Sequence, residues 1–310
     1  MFSVLTEPNY PKAAIGLERE AVTALLLQKE GRGQFGVRQA ATIDLPVNLL
    51  TPSFVEKNIS SPEELRVILE DAVLSAGLAN QTNWSVSLPS NTARTAILTL
   101  DNAAGKGETE EILDWKAEQS FGAPTGELRI TRQKISNDRE GRSRYFASAV
   151  KLSVIDEYET IFESIGWTAG LVLPRAVSET KWLMGKDSRS DSLLLSSQTD
   201  GFTAFLLRGD EPAVIRTVTC GKSERDDEIY RLLMFYNDRF ADPTSGGILE
   251  TLLVIGKDLL PAKIKEISTE ALGRTLQVLR AEDVGLNVPA GRLSFDDLAA
   301  PAGLASYGWR

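Results

Sequence analysis

The sequence contains no histidine and a single cysteine, Cys220. Without histidine there is no imidazole general base, no Ser-His-Asp or Cys-His relay and no histidine metal ligand. One cysteine excludes an intramolecular disulfide and any thiolate cluster for zinc or iron–sulfur. It points to a reducing, cytoplasmic setting. Long apolar runs are missing too: none approaches the roughly 18 residues that a bilayer span needs. The opening residues Met1–Pro8 have neither the basic nor the apolar region of a signal peptide. Net positive charge is also absent. Lys and Arg number 34 against 43 Asp and Glu, a net charge of -9. Such a chain repels polyanions on average, so no nucleic-acid partner is expected.

What is present is an ordinary globular composition, 42% hydrophobic and 25% charged over 310 residues. That length suits about two domains of roughly 150 residues each. Ala13–Leu17 and Ala21–Leu27 are short apolar runs joined by Glu18-Arg19-Glu20, the pattern of a hairpin. A third strand follows over Phe35–Ile43. Ser61, Pro62 and Glu64 form a helix start with a capping box. Leu65, Ile68, Leu69, Ala72, Val73 and Ala76 then recur as one apolar stripe, which Gly77 ends. Trp84–Leu88 alternates as a strand. The order is β-β-β-α-β.

The same order returns roughly 180 residues later. Leu193–Leu195 and Phe202–Leu207 flank Thr199-Asp200-Gly201, and Ala213–Val218 makes the third strand. A helix capped by Ser223 with Asp226 buries Ile229, Leu232, Leu233, Tyr236 and Phe240. Glu250–Ile255 is the next strand. Between the two units lie strand Arg94–Leu100, helix Glu110–Ser120, strands Glu127–Ile135 and Tyr145–Val150, helix Val154–Ile165 and strand Trp167–Val172. Ser153 is the expected cap of that second helix. The order β-α-β-β-α-β is that of a ferredoxin-like split unit. Lys186–Asp191 is polar throughout and is the expected proteolytic linker. A closing helix is capped by Ser294 with Asp297.

Residues spread along the chain carry a family resemblance. Trp84-Ser-Val-Ser-Leu-Pro89 with Arg94, Phe146-Ala-Ser-Ala-Val150 with Val154–Tyr158 and Ile165–Thr168, and Phe295–Ala302 stand in the order and spacing of the PilM group. These are the cytoplasmic actin-like proteins of type IV pilus assembly, related to the cytoplasmic domain of GspL proteins in type II secretion. GspL proteins continue into a membrane helix; this sequence ends at Arg310 without one. The resemblance implies a duplicated ribonuclease H-like (actin-like), two-lobed α/β fold with an inserted ferredoxin-like subdomain. The implied division is a first lobe at 11–92 with 173–190 and the closing helix 294–310. The insertion spans 93–172 and the second lobe 191–293.

Active actin-like proteins hold ATP or ADP with magnesium on an acidic hairpin in each lobe and a glycine pair. Here each element is eroded. Gly16 precedes Glu18, a carboxylate on a longer arm than the expected Asp, and Glu20 stands where a glycine belongs. A side chain there blocks close backbone approach. Its charge opposes a polyphosphate by roughly 4 kcal/mol at about 4 Å and an effective dielectric of about 20, which an inward Arg19 would offset in part. In the second hairpin Ser196 replaces the Asp and Gln198 the Gly, while Asp200 and Gly201 follow one step later. Gly256 is followed by Lys257 rather than a second glycine, and Gly221-Lys222 shows the same loss. The vestigial positions are thus Gly16, Glu18, Glu20, Ser196, Gln198, Gly201, Gly256 and Lys257. No bound cofactor is expected, with ATP or ADP and magnesium as the alternative, and no metal-ligating or catalytic residue is assigned.

Other features read structurally. The acidic pairs Asp226-Asp227, Asp296-Asp297 and Glu110-Glu111 fit helix first turns. Gly31–Gly36 fits a hairpin turn rather than a phosphate loop. Trp115, Trp167 and Trp182 read as core aromatics, and Trp309 as a core residue or an exposed contact. Arg139, Arg142 and Arg144 read as a solvated turn, with contact to anionic headgroups or an acidic partner as the alternative. The expected function is that of a scaffold on the cytoplasmic face of an inner-membrane pilus or secretion platform. By the resemblance, it holds the cytoplasmic tail of a bitopic, PilN-like protein and meets other platform proteins. The alternative is an active actin-like ATPase.

Overall fold

The computed structural model describes residues 8–100, 106–185, 190–240, 247–289, 291 and 293–309. The chain opens with β1 (Ala13–Leu17), β2 (Ala21–Gly31), β3 (Gln34–Asp44), α1 (Pro62–Ser75) and β4 (Asn83–Leu88). Next come β5 (Arg94–Leu100), α2 (Lys106–Phe121), β6 (Leu128–Ile135), β7 (Ser143–Lys151), α3 (Leu152–Ser164), β8 (Thr168–Pro174) and α4 (Arg175–Thr180). The second half holds β9 (Asp191–Gln198), β10 (Gly201–Arg208), β11 (Glu211–Thr219), α5 (Arg225–Arg239), β12 (Leu249–Ile255), α6 (Pro261–Leu272), β13 (Gln277–Leu279), β14 (Leu286–Asn287) and α7 (Phe295–Ser306).

Two sheets share one plan. The first runs β3-β2-β1-β4-β8 and the second β11-β10-β9-β12-β13. In each, the first three strands are antiparallel and the last two join in parallel. The central strands β1 and β9 are buried along their whole length, as strands covered on both faces must be. The apolar stripe of α1 packs Leu65, Leu69, Ala72 and Val73 on the first sheet, and Ser61 accepts the Glu64 N–H at its start. These are the two expected β-β-β-α-β units, each extended by one further helix and strand.

That extension corrects the ferredoxin-like reading of 93–172. Helix α3 buries Val154, Ile155, Tyr158, Ile161 and Phe162 in the first lobe's core. Strand β8 pairs with β4, not with the inserted strands. Its register sets Trp167 against Trp84 and Phe162, with ring centroids 5.4 and 5.9 Å apart. The inserted sheet therefore has three strands, β5-β7-β6, with Leu113, Ala117 and Phe121 of α2 in its core. Strand β14 falls in the stretch expected for the second lobe but lies beside β3 in the first sheet.

Smaller expectations shift as well. Helix α3 starts at Lys151 and α5 at Glu224, both without a side-chain cap, so Ser153 and Ser223 do not cap them. Glu110 sits beyond the first turn of α2 and pairs with Arg132 at 3.5 Å. Trp115 is 58% exposed rather than core. The Gly31–Gly36 segment is the β2–β3 turn, with Gly33 at φ 70. Of the expected linker, 186–189 lies outside the described residues, while Asp191 is buried in β9. Its carboxylate is gripped by Arg208 through two bonds of 2.9 Å. Among the described residues no helix is long and apolar enough to cross a membrane.

Helix α7 crosses the molecule and packs on β1, β2 and β4 of the first lobe and β12 of the second. The expected Ser294–Asp297 capping box is present. At Gly303 an added Cβ would lie 2.3 Å from the Ser178 carbonyl oxygen. Gly303→Ala is therefore expected to lower stability by about 1–3 kcal/mol in urea denaturation. Gly126→Ala, whose Cβ would meet nothing within 4 Å, should stay near the parent value.

Candidate functional site

Three turns converge between the lobes. The β1–β2 turn brings Glu18, Arg19 and Glu20, the β9–β10 turn Gln198 to Asp200, and the loop after β12 Gly256 to Asp258. Arg175 at the start of α4 and Asp296 and Asp297 at the start of α7 complete the lining of a ≈ 260 Å³ cleft. Five of the eight positions singled out in the sequence meet here: Glu18, Glu20, Gln198, Gly256 and Lys257. Asp200 joins them.

The other three lie off the lining. An added Cβ on Gly16 would come 3.0 Å from Pro301, so that glycine makes room for α7. Ser196 is fully buried in β9, where its hydroxyl favours the charged form of Glu179. Gly201 adopts φ 140, and a Cβ there would lie 1.8 Å from the Val218 carbonyl oxygen. Gly256 also needs its glycine, at φ 122 with Ser197 Cβ 2.2 Å from where its own Cβ would be.

The electrostatic centre of the cleft is Arg175, which sequence reading missed. Its guanidinium donates to Glu18 Oε2 at 2.9 Å and to Glu179 Oε1 at 2.7 Å. Glu179 is completely buried. Two carboxylates thus share one cation, and burial dominates both. It pushes Glu18 up to about 7 against the pull of Arg175, and it raises Glu179 also. Glu18 keeps 34% of its side chain exposed, so it can exchange a proton with the cleft. The one signal in the sequence was the i, i+4 spacing of Arg175 and Glu179 behind Pro174, on a helix too short to show periodicity.

Much of the remaining lining is paired within itself. Six carboxylates face four cationic side chains. Lys257 bonds Asp297 at 3.0 Å and Lys222 bonds Asp258 at 3.2 Å. Burial works to raise Asp297, but bonds from Ser294 and Lys257 hold it below the usual carboxylate range. The Gly256 N–H donates to Asp296 Oδ1 at 2.7 Å. The start of α7 is closed by Ser294 and Asp297, at 3.3 and 3.1 Å. Behind the wall, Arg225 is 2% exposed and donates to the Gln198 carbonyl at 3.1 Å. A backbone amide at a glycine turn and a helix N-terminus are the groups that would meet a phosphate, and both already hold carboxylates. This donor set does not fit a magnesium-bound polyphosphate.

The fold can be placed among known structures. A chain of the PilM–PilN type IV pilus biogenesis complex superposes with a TM-score of 0.76 at 16% identity, covering 98% of this chain and 100% of that one. The chain has the two-lobed actin-like fold. More distant are a protein of unknown function with an actin-like ATPase fold from Bacteroides thetaiotaomicron (TM-score 0.46, 11% identity, 96% and 98% covered) and the ethanolamine utilization protein EutJ from Carboxydothermus hydrogenoformans (0.46, 11%, 96% and 91%). No protein-family profile matches the sequence, and no curated protein does. In this actin-like chain the interlobe cleft is the ≈ 260 Å³ space around Arg175.

The buried Glu18 makes a prediction. A carboxyl raised on folding from 4.5 to about 7 adds stability below its unfolded value and loses it as pH climbs through 7. Glu18→Gln leaves Arg175 paired with Glu179 alone. It should stabilise the protein by about 1–2 kcal/mol at pH 8, allowing for partial exposure, and by nothing at pH 4.5. Urea denaturation at both pH values reads the difference.

Proposed function

We propose that this chain is a non-catalytic scaffold of an inner-membrane pilus or secretion platform, with a nucleotide cleft that has lost its chemistry. The observation that carries the reading is the occupation of the cleft's anion-binding groups by Asp296 and Asp297 of the chain itself. A triphosphate would have to displace both carboxylates and face Glu18 and Glu20 as well. Each unrelieved like-charge contact opposes it by roughly 4 kcal/mol at about 4 Å.

The partner we infer is the cytoplasmic tail of a bitopic, PilN-like membrane protein. The resemblance in fold to a chain of the PilM–PilN complex supports this. Held by such a tail, the chain would sit at the cytoplasmic face of the inner membrane. A ≈ 480 Å³ groove beside the cleft is the place we assign to the tail. It runs between the loop before α1, the start of β5 and α4, past Phe54, Val55, Ala93, Arg94, Ala176 and Val177. Val55 is 51% exposed, and Arg94 lies over the Phe54 ring at 4.3 Å. Apolar side chains set among polar ones, with Arg94 and Arg175 in the lining, suit an extended peptide.

Two measurements test the reading. A fluorescent ATP analogue with magnesium should show no binding tighter than about 100 µM; micromolar affinity would overturn the lost-chemistry claim. Titration calorimetry with the tail peptide of the neighbouring bitopic protein should show binding, weakened about tenfold by Val55→Asp. No heat from the unaltered protein would refute the scaffold assignment.

A further inference from the structure

The inserted sheet is tied to the second lobe. Arg144 on β7 donates to the carbonyl oxygens of Pro212 and Ala213 on β11, at 3.1 and 3.2 Å. The Ser136 N–H donates to Glu211 Oε2 at 2.8 Å, and Phe146 meets Phe205 edge-on at 6.4 Å between centroids. Arg144 is thus part of an interlobe contact, not of a solvated turn. Beside these ties and the end of α5 opens a groove of ≈ 800 Å³, which meets the one assigned to the membrane partner's tail at Ile215.

Its charge runs against that of the chain. Five arginines line it against three carboxylates, in a protein whose net charge is -9. Arg142 is answered by Asp138 and Glu140, at 2.6 and 3.1 Å. Arg144 makes its hydrogen bonds to carbonyl oxygens rather than to a carboxylate. Burial pushes its pKa down, against the pull of the Asp138 and Glu211 charges. Arg239, in the last turn of α5, is exposed and makes no ion pair among the described residues. Between the arginines the lining is apolar, with Ile97, Val214, Ile215 and Phe240.

We propose that this groove binds an acidic, amphipathic peptide of a partner protein, its carboxylates on Arg144 and Arg239 and its apolar side chains on Ile97, Val214 and Phe240. Backbone pairing to β11 is closed there, because Pro212 has no N–H and the two carbonyls are held by Arg144. Recognition therefore passes to side chains, and arginine is suited to grip carboxylates in two-point fashion. A bilayer surface is the weaker candidate. The arginines line a recess between two elements, and an overall acidic protein is repelled by anionic lipid.

The probe is a short fluorescein-labelled peptide of alternating Glu and Leu, followed by fluorescence anisotropy on the full chain. It should bind at about 50 mM salt and weaken steeply by about 300 mM. Arg239→Glu, on an exposed position that leaves folding intact, should weaken it about tenfold, and Arg144→Gln should do likewise. Three results would each overturn the proposal: equal binding by both variants, equal binding of the matching Lys–Leu peptide, or binding only to phosphatidylglycerol vesicles.

Discussion

The architecture depends on how closely α7 can approach its neighbours. Gly16 admits Pro301 closely, and Gly303 lies on the Ser178 carbonyl with no room for a Cβ. Trp182 Nε1 donates to the Ala299 carbonyl at 2.7 Å, closing the same seam. Ala299, Ala302 and Ala305 are fully buried along it. Small residues let the helix axis sit near the sheets, where contact density is high and larger side chains would overpack. Because α7 touches strands of both lobes, this seat helps to set their relation.

It also explains the chemistry of the cleft. A helix that crosses at this height delivers its N-terminus to the space between the lobes, where its dipole would favour an anion. The chain fills that role with Asp296 and Asp297, which close the Gly256 amide and the helix start. Arg175 then balances the carboxylates beneath. A buried ion group of this kind is weak as a source of stability but costly to break. The result is a cleft whose donors and acceptors are largely paired within the chain.

Much of the fold was legible in the sequence because it rests on local rules. Alternation marked β4, the stripe from Leu65 to Ala76 marked α1, and the Ser294–Asp297 box marked α7. The repetition of that order revealed two lobes. Pairing across the chain was not legible. Whether β8 joins the inserted strands or β4 is decided by the Trp84–Trp167 contact, between residues far apart in sequence. The two-residue β14 and the single-turn-scale α4 carry too few residues for any periodicity. The caps expected at Ser153 and Ser223 failed because tertiary packing starts those helices elsewhere, a weak preference overridden. At the site, residue types were readable and directions were not. Glu18 and Lys257 were found, but that Lys257 turns to Asp297, and that Gly16 serves Pro301, needed coordinates.

The lobes are joined in different parts of the molecule. Helices α4 and α7 touch strands of both at the base of the cleft. The inserted sheet adds a further joint, its strand β7 reaching β11 through Arg144, with Phe146 on Phe205. A hinge between two bodies needs its connections gathered near one axis. Separated joints resist rotation about either one, because opening at α7 would have to break the Arg144 bonds and the aromatic contact. Two lobes held in this way present fixed grooves at their margins. Fixed grooves bind peptides with little ordering cost on the protein's side. Clamping of this kind favours the binding role proposed for this chain.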